Sequence, residues 1–186
     1  AGPPNHVKSA KATEVPAGTG RVVLDLAQGE FYIHAEHPGQ GVRVEATYDT
    51  EVYLIEDYFE SFPDSSWVYG VRSQRTISGL HAIFRQLMAG GKSPKIQVFL
   101  PVDVPLELQF LVQEGGCDVE LGGLWITTAD FRFQKGGFAL EVEAPLREPM
   151  QRMTIRGRMG GFEAENLGNA SPRLLDVSCK MGGADI

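Results

Sequence analysis

Apolar and polar residues alternate with period two through most of the C-terminal half of the chain, and each alternating run is split by a pair of glycines. LVQEGGCDVEL, FQKGGFALEVEA, IRGRMGGFEAE and VSCKMGGADI all share this device. The first glycines of the pairs, Gly115, Gly136, Gly160 and Gly182, fall roughly 21–24 residues apart, the period of stacked supersecondary units. Positions at fixed offsets from them match. Before the glycine, one column holds Val112, Phe133, Gly157 and Cys179; a second holds Phe110, Phe131, Ile155 and Val177; a third holds Leu108, Ala129, Met153 and Leu175. After it come Cys117, Phe138, Phe162 and Ala184, then Val119, Leu140, Ala164 and Ile186. Nearly all are apolar and the residues between them are mostly polar, which predicts two strands per repeat, each with one buried face.

A glycine between two such strands suits a tight bend where a Cβ would clash. The pattern therefore predicts an all-β chain, a β-solenoid or β-helix of stacked, flattened coils with two strands per coil and like residues in ladders about 4.8 Å apart. The corners are Gly29, Gly115, Gly116, Gly136, Gly137, Gly160, Gly161, Gly182 and Gly183. Gly29 enters because VVLDLAQGEFYIHA fits the same template, with Val22, Leu24, Leu26, Phe31 and Ile33 at inward sites and Glu30 in place of the second glycine. Residues 42–48 and 96–102 are expected as partner strands of that divergent coil.

The template covers 21–186 as one domain, preceded by a polar leader over 1–20 that reads as flexible. It breaks over 49–95. There SGLHAIFRQLMAGG changes to helical spacing, with Leu80, Ile83, Phe84, Leu87 and Met88 on one side, and predicts a short amphipathic helix over 79–89. The expected role of this insert is to cover an end or face of the stack. Its aromatic residues Tyr53, Tyr58, Phe59, Trp67 and Tyr69 are the interaction candidates, although on alternating strands half of them would point inward.

Charge narrows the partners. A formal net charge of −7 without any Lys/Arg run argues against nucleic acid and anionic membrane surfaces, and no apolar stretch is long enough to span a membrane. Two cysteines, Cys117 and Cys179, exclude a disulfide framework; their places in the repeat put them too far apart for a bridge. No nucleophile elbow, zinc signature or phosphate loop is present. His34 and His37 are spaced for opposite faces of a strand, so a shared metal there would need an immediate turn at Pro38. The acidic ladder of Asp118, Glu120, Glu141, Glu143, Glu163, Glu165 and Asp185 could in principle bind calcium or supply a general acid/base pair for sugars, but a solvated face that keeps a sheet soluble accounts for it. Arg132, Arg156, Arg158 and Lys180 populate the other sheet. No catalytic residue, cofactor or metal is called for.

The segment IQVFLPVDVPLELQFLVQEGGCDVELGG and the closing LLDVSCKMGGADI resemble the bacterial putative-adhesin, or toast-rack, domains, a family of unknown function; the resemblance covers residues 96–186 and 21–46. It implies a right-handed β-helical fold and a periplasmic or extracellular setting, and it brings no catalytic residues. The expected function is a non-catalytic binding or scaffolding domain of the bacterial cell envelope. Its partner is expected to be a protein or glycan at the cell surface, with self-association through the incomplete last coil at GGADI as a further contact. The alternatives are a carbohydrate-active enzyme using the acidic face and a sensory or regulatory domain in envelope-stress signalling.

Overall fold

The computed structural model describes residues 6–76, 84, 93–180 and 184–186. It is all-β. Strands β2 (Gly20–Ala35) and β7 (Leu106–Glu120) are long because each runs through a glycine bend, at Gly29 and Gly115, and contributes a rung to two separate ladders. In the first ladder β5 (Trp67–Arg75), the leading part of β2, the leading part of β7, β8 (Ile126–Lys135), β10 (Arg152–Met159) and β12 (Leu174–Cys179) lie side by side, all parallel. The second ladder runs through β6 (Lys95–Leu100), the trailing parts of β2 and β7, β9 (Phe138–Glu141), β11 (Phe162–Glu165) and β13 (Ala184–Asp185), again all parallel. At the N-terminal end both ladders finish antiparallel. The first ends in β4 (Tyr53–Ser61) on β5; the second ends in β3 (Val42–Asp49) on β6, with β1 (His6–Thr13) outermost. The sheet does not close on itself, and β1 and β12 stand at the two ends of its main path.

Parallel pairing in register places like residues over like. Phe110, Phe131, Ile155 and Val177 form one continuous column, and Leu108, Ala129, Met153 and Leu175 form another. In the second ladder Phe31, Cys117, Phe138, Phe162 and Ala184 align. The inner faces of the two ladders meet through aromatic rings: Phe131 and Phe133 lie 5.2 and 5.3 Å from Phe138, centroid to centroid. Phe138 stands 5.9 Å from Phe162, and both are buried. Each such ring removes on the order of 150–250 Å² from water, so one pass of the chain is held by the passes on either side of it.

The glycine pair divides into two different residues. At Gly136 φ is +113°, and a Cβ would lie 2.0 Å from the carbonyl oxygen of Gly115. The same collision recurs one pass earlier, between Gly115 and the Gly29 carbonyl, and one pass later, between Gly160 and the Gly136 carbonyl. Each bend is seated on the backbone of the bend before it, so a methyl group has nowhere to go. The second glycines, Gly116, Gly137 and Gly161, are different: a Cβ on any of them would meet nothing within 4 Å, and Glu30 occupies the equivalent place beside Gly116. Gly182 and Gly183 lie outside the described residues.

Three expectations are corrected. The 1–20 leader contains β1, paired along its whole length with β3 from His6↔Asp49 to Thr13↔Val42. Its sequence HVKSAKAT carries no apolar stripe because an edge strand with two solvent-facing sides buries little. Residues 42–48 are not a direct partner of β2; they pair with β6, which does pair with β2. The 49–95 insert is not wholly outside the stack, since β5 is a rung of the first ladder, with Trp67, Tyr69 and Val71 in register with Gly20, Val22 and Leu24. The helix expected over 79–89 lies outside the described residues, Phe84 apart.

Candidate functional site

The five aromatic candidates do not share a surface. Tyr53, Trp67 and Tyr69 are buried, whereas Tyr58 and Phe59 are exposed on β4. Trp67 fills the space above Gly20, whose Cβ would collide with the indole, and donates its ring N–H to the Gly18 carbonyl at 3.1 Å. Tyr69 donates its hydroxyl to Asp57 at 2.8 Å, and burial pushes its pKa well above the ordinary phenol value. These are core residues. The signal was present in the sequence as the alternation Trp67, Tyr69, Val71, Ser73.

Two other regions offer unpartnered surface. One is the end of the stack at β12 and β13. At an inward position of β12 Leu175 is 41% exposed, and its outward neighbour Leu174 is 59% exposed. Beyond β13, Ile186 is 65% exposed. Among the described residues β12 pairs with β10 alone and β13 with β11 alone. Each strand therefore has, among the described residues, one edge without a partner strand, beside exposed apolar side chains.

The other region is the pair of outer faces carried by the repeats. On the second ladder Glu120, Glu141 and Glu165 stack in register, and the next row holds Asp118, Ala139, Glu163 and Asp185. Those strands carry no Lys or Arg. Gly116, Gly137, Gly161 and Ala139 leave a shallow strip bare of long side chains beside these acids. Carboxylate atoms of Glu120, Glu141 and Glu143 lie within 4.8 Å of one another, and Glu141 is raised above the ordinary carboxylate pKa by partial desolvation and then by repulsion from Glu143, Glu120 and Glu165. Glu120 is already engaged, since its carboxylate accepts the backbone N–H groups of Gly122 and Glu143. On the first ladder Arg132 and Arg156 stack in register, with Arg158 and Lys180 in the adjoining row. Arg132 pairs with Asp130 at 3.2 Å; Arg156, Arg158 and Lys180 make no ion pair among the described residues.

The N-terminal portion of the second ladder's outer face is different. Arg43 donates to Glu36 at 2.7 Å, pairs with Glu45 and lies 3.8 Å over the Phe99 ring. His34 stacks on Phe99 at 5.0 Å, and the backbone N–H of His37 is donated to Glu36. Only His34 packs; His37 is exposed and contributes its backbone N–H. Cys117 is buried, and its thiol is pushed up to about 12 by burial and then by Asp118, which leaves it a small apolar filler. Cys179 is also a free thiol.

No family model matches the sequence, and no curated protein matches it. Among solved structures, a cell adhesion protein of Clostridium sporogenes, described as putative, superposes with a TM-score of 0.75 at 12% identity, covering 97% of this chain and 98% of that one. Two putative adhesins align over nearly full length at lower similarity: one from Bacteroides fragilis with a TM-score of 0.32 and 7% identity, one from Parabacteroides merdae with 0.23 and 9%. At 12% identity the likeness to the Clostridium structure is one of fold. The all-β architecture of this chain is thus shared, end to end, with a bacterial protein described as a putative cell adhesion protein.

Proposed function

We propose that the chain is a non-catalytic binding or scaffolding domain of the bacterial envelope, built as a right-handed β-solenoid and acting in the periplasm or outside the cell, in the manner of an adhesin. The observation that carries this reading is the edge at β12 and β13, which among the described residues pair only with β10 and β11. Edge backbone and exposed Leu174, Leu175 and Ile186 occur together there, and a strand from a protein partner or a second copy would satisfy both in register. The fold shared with the Clostridium protein supports the assignment to adhesion. The acidic face is a poor catalytic site by comparison. Its carboxylates lie on an open sheet beside a glycine strip, with Tyr32 and His34 at one edge instead of the enclosing cleft a glycosidase uses to hold a sugar.

The test is direct. Leu175→Lys is expected to abolish concentration-dependent association, or capture of an envelope partner, while leaving the circular dichroism spectrum unchanged. Hydrogen exchange along β12 and β13 is expected to slow in the complex. Fast exchange there at high protein concentration, with wild type and Leu175→Lys behaving alike, would remove the end from consideration; hydrolysis of any glycan on an array would restore the enzymatic alternative.

A further inference from the structure

Charge is segregated on the acidic outer face and around Arg156, Arg158 and Lys180, although Arg132 on the same basic side is paired with Asp130. Within the second ladder, Glu120, Glu141 and Glu165 stand directly beside one another, and within the first, Arg132 stands beside Arg156. Like charges opposite each other across a parallel pair are unfavourable. The same chain avoids this elsewhere: Arg43 is paired with Glu36 and Glu45, and Lys11 with Asp57. The segregated faces belong to the same passes of the chain. Arg156 and Arg158 lie on β10, and Glu163 and Glu165 on β11, which follows it directly. Because the inner faces of the two ladders meet through Phe131, Phe133 and Phe138, the two outer faces point to opposite sides of the molecule.

We infer that the basic face of one molecule docks on the acidic face of a second copy. The occupant is specified by spacing as well as sign. Both charge ladders climb with the same rise of ~4.8 Å per strand, so Arg156, Arg158 and Lys180 of one copy are spaced to face neighbouring carboxylates of the next. The bare strip at Gly116, Gly137 and Gly161 gives long arginine side chains room to lie flat next to the acids. A contact between two different faces is heterologous, and its repetition generates a row of molecules instead of a closed dimer.

Size sets the strength. Four strands at ~4.8 Å and about five residues at ~3.3 Å give on the order of 300 Å² per copy, about 600 Å² in total, half of what a stable interface needs. The net charge of −7 also opposes approach at long range. Association is therefore weak and salt-sensitive, and it accumulates where molecules are held close together on a surface. This contact is separate from the edge at β12 and β13.

Sedimentation velocity on the full chain tests the proposal. At about 0.01 M salt, where the Debye length is ~30 Å, the weight-average mass is expected to rise with protein concentration; at about 1 M, where it is ~3 Å, the salt-dependent part is expected to vanish. Arg156→Glu with Arg158→Glu, and separately Glu163→Lys with Glu165→Lys, are each expected to weaken this association about tenfold or more. Mixing the two variants restores it, because reversed faces are complementary to one another. Circular dichroism confirms that each is folded. Wild type that stays monomeric at low salt, variants that associate as well as wild type, or a mixture that fails to recover would each overturn the inference. So would a basic face that retains a polyanion such as dextran sulfate while the protein remains monomeric at low salt. Leu175→Lys leaves this contact intact, so failure at the end and failure at the faces are read separately.

Discussion

The two ends of the stack are finished in opposite ways. At the N-terminal end both ladders turn antiparallel, and their outermost strands, β1 and β4, mix charge with exposed apolar residues: Lys8 and Lys11 beside Val7 on one, Glu56, Asp57 and Glu60 beside Leu54, Tyr58 and Phe59 on the other. Lys11 reaches Asp57 at 3.0 Å, so the last strand of one ladder is tied to the last strand of the other, and Asp57 also receives the hydroxyl of the buried Tyr69. At the C-terminal end, β12 and β13 keep the parallel register of the repeats and leave leucines in water. Charged, twisted antiparallel edges resist further pairing; a parallel edge with an apolar flank invites it. Repetition is thus needed only where strands stack parallel. An antiparallel hairpin can finish a ladder with any sequence that alternates.

The same contrast orders the expected effects of substitution. Phe138→Ala, in the middle of the repeats, is expected to cost about 3–5 kcal/mol, and so is Trp67→Ala beneath β4. Chemical denaturation measures both. If the passes are mutually dependent, both changes lower the midpoint of one cooperative transition; an additional transition in either variant would mean that the capped region folds apart from the repeats.

Next in size is the division within the glycine pair. Gly136→Ala faces both a positive φ and the Gly115 carbonyl, and is expected to cost about 3 kcal/mol. Gly137→Ala, with open space around it, is expected to stay within about 0.5 kcal/mol of wild type. Equal costs would mean that the bend yields, and the seating of each bend on the last would lose its importance.

Asp57→Ala is smaller again. The Lys11 pair is exposed and contributes at most about 1 kcal/mol, to which the lost partner of the Tyr69 hydroxyl adds about 1–2 kcal/mol. Thermal melting is expected to drop modestly, with faster hydrogen exchange in β4 and unchanged exchange in β12.

The smallest effect is one of pH, and it has opposite sign in the two regions. Glu36 is held below its ordinary value of 4.5 chiefly by the hydrogen bond from Arg43. Its contribution is complete above 4.5 and is lost as pH falls through its lower folded value. Glu141 is raised, so it favours the fold when protonated, below the ordinary carboxylate value, and that contribution is lost as pH rises through its folded value. Glu36→Gln is expected to be less stable than wild type at about pH 7 and to converge with it as pH falls below the lowered folded value of Glu36. Glu141→Gln is expected to be more stable at about pH 7 and to converge in acid as well. Melting temperatures of the three proteins across that range check the signs.

Much of the fold could be read from the sequence. The columns that begin at Leu108, Phe110 and Phe138 align in the structure as their spacing predicts, because parallel in-register pairing superposes residues that are one period apart. The capped end was less legible for the same reason. Strands β1, β3 and β4 pair antiparallel, with no offset to repeat, and β1 buries so little that its alternation carries no apolar signal. The candidate surfaces were legible as composition only. The acidic and basic ladders were visible as residues, and the aromatic candidates separated into core and surface once β5 took its place beside β2.

The all-β class and the buried columns were already written in the chain, since they depend on alternation, which is local. Which glycine of each pair is indispensable emerges only in the folded molecule, because that depends on a backbone carbonyl far off in the sequence, Gly115 for Gly136 and Gly29 for Gly115. Folding likewise brings Lys11 on β1 to Asp57 on β4 and turns the two charged ladders to opposite sides. Those are relations between separate strands, and pairing alone brings them together.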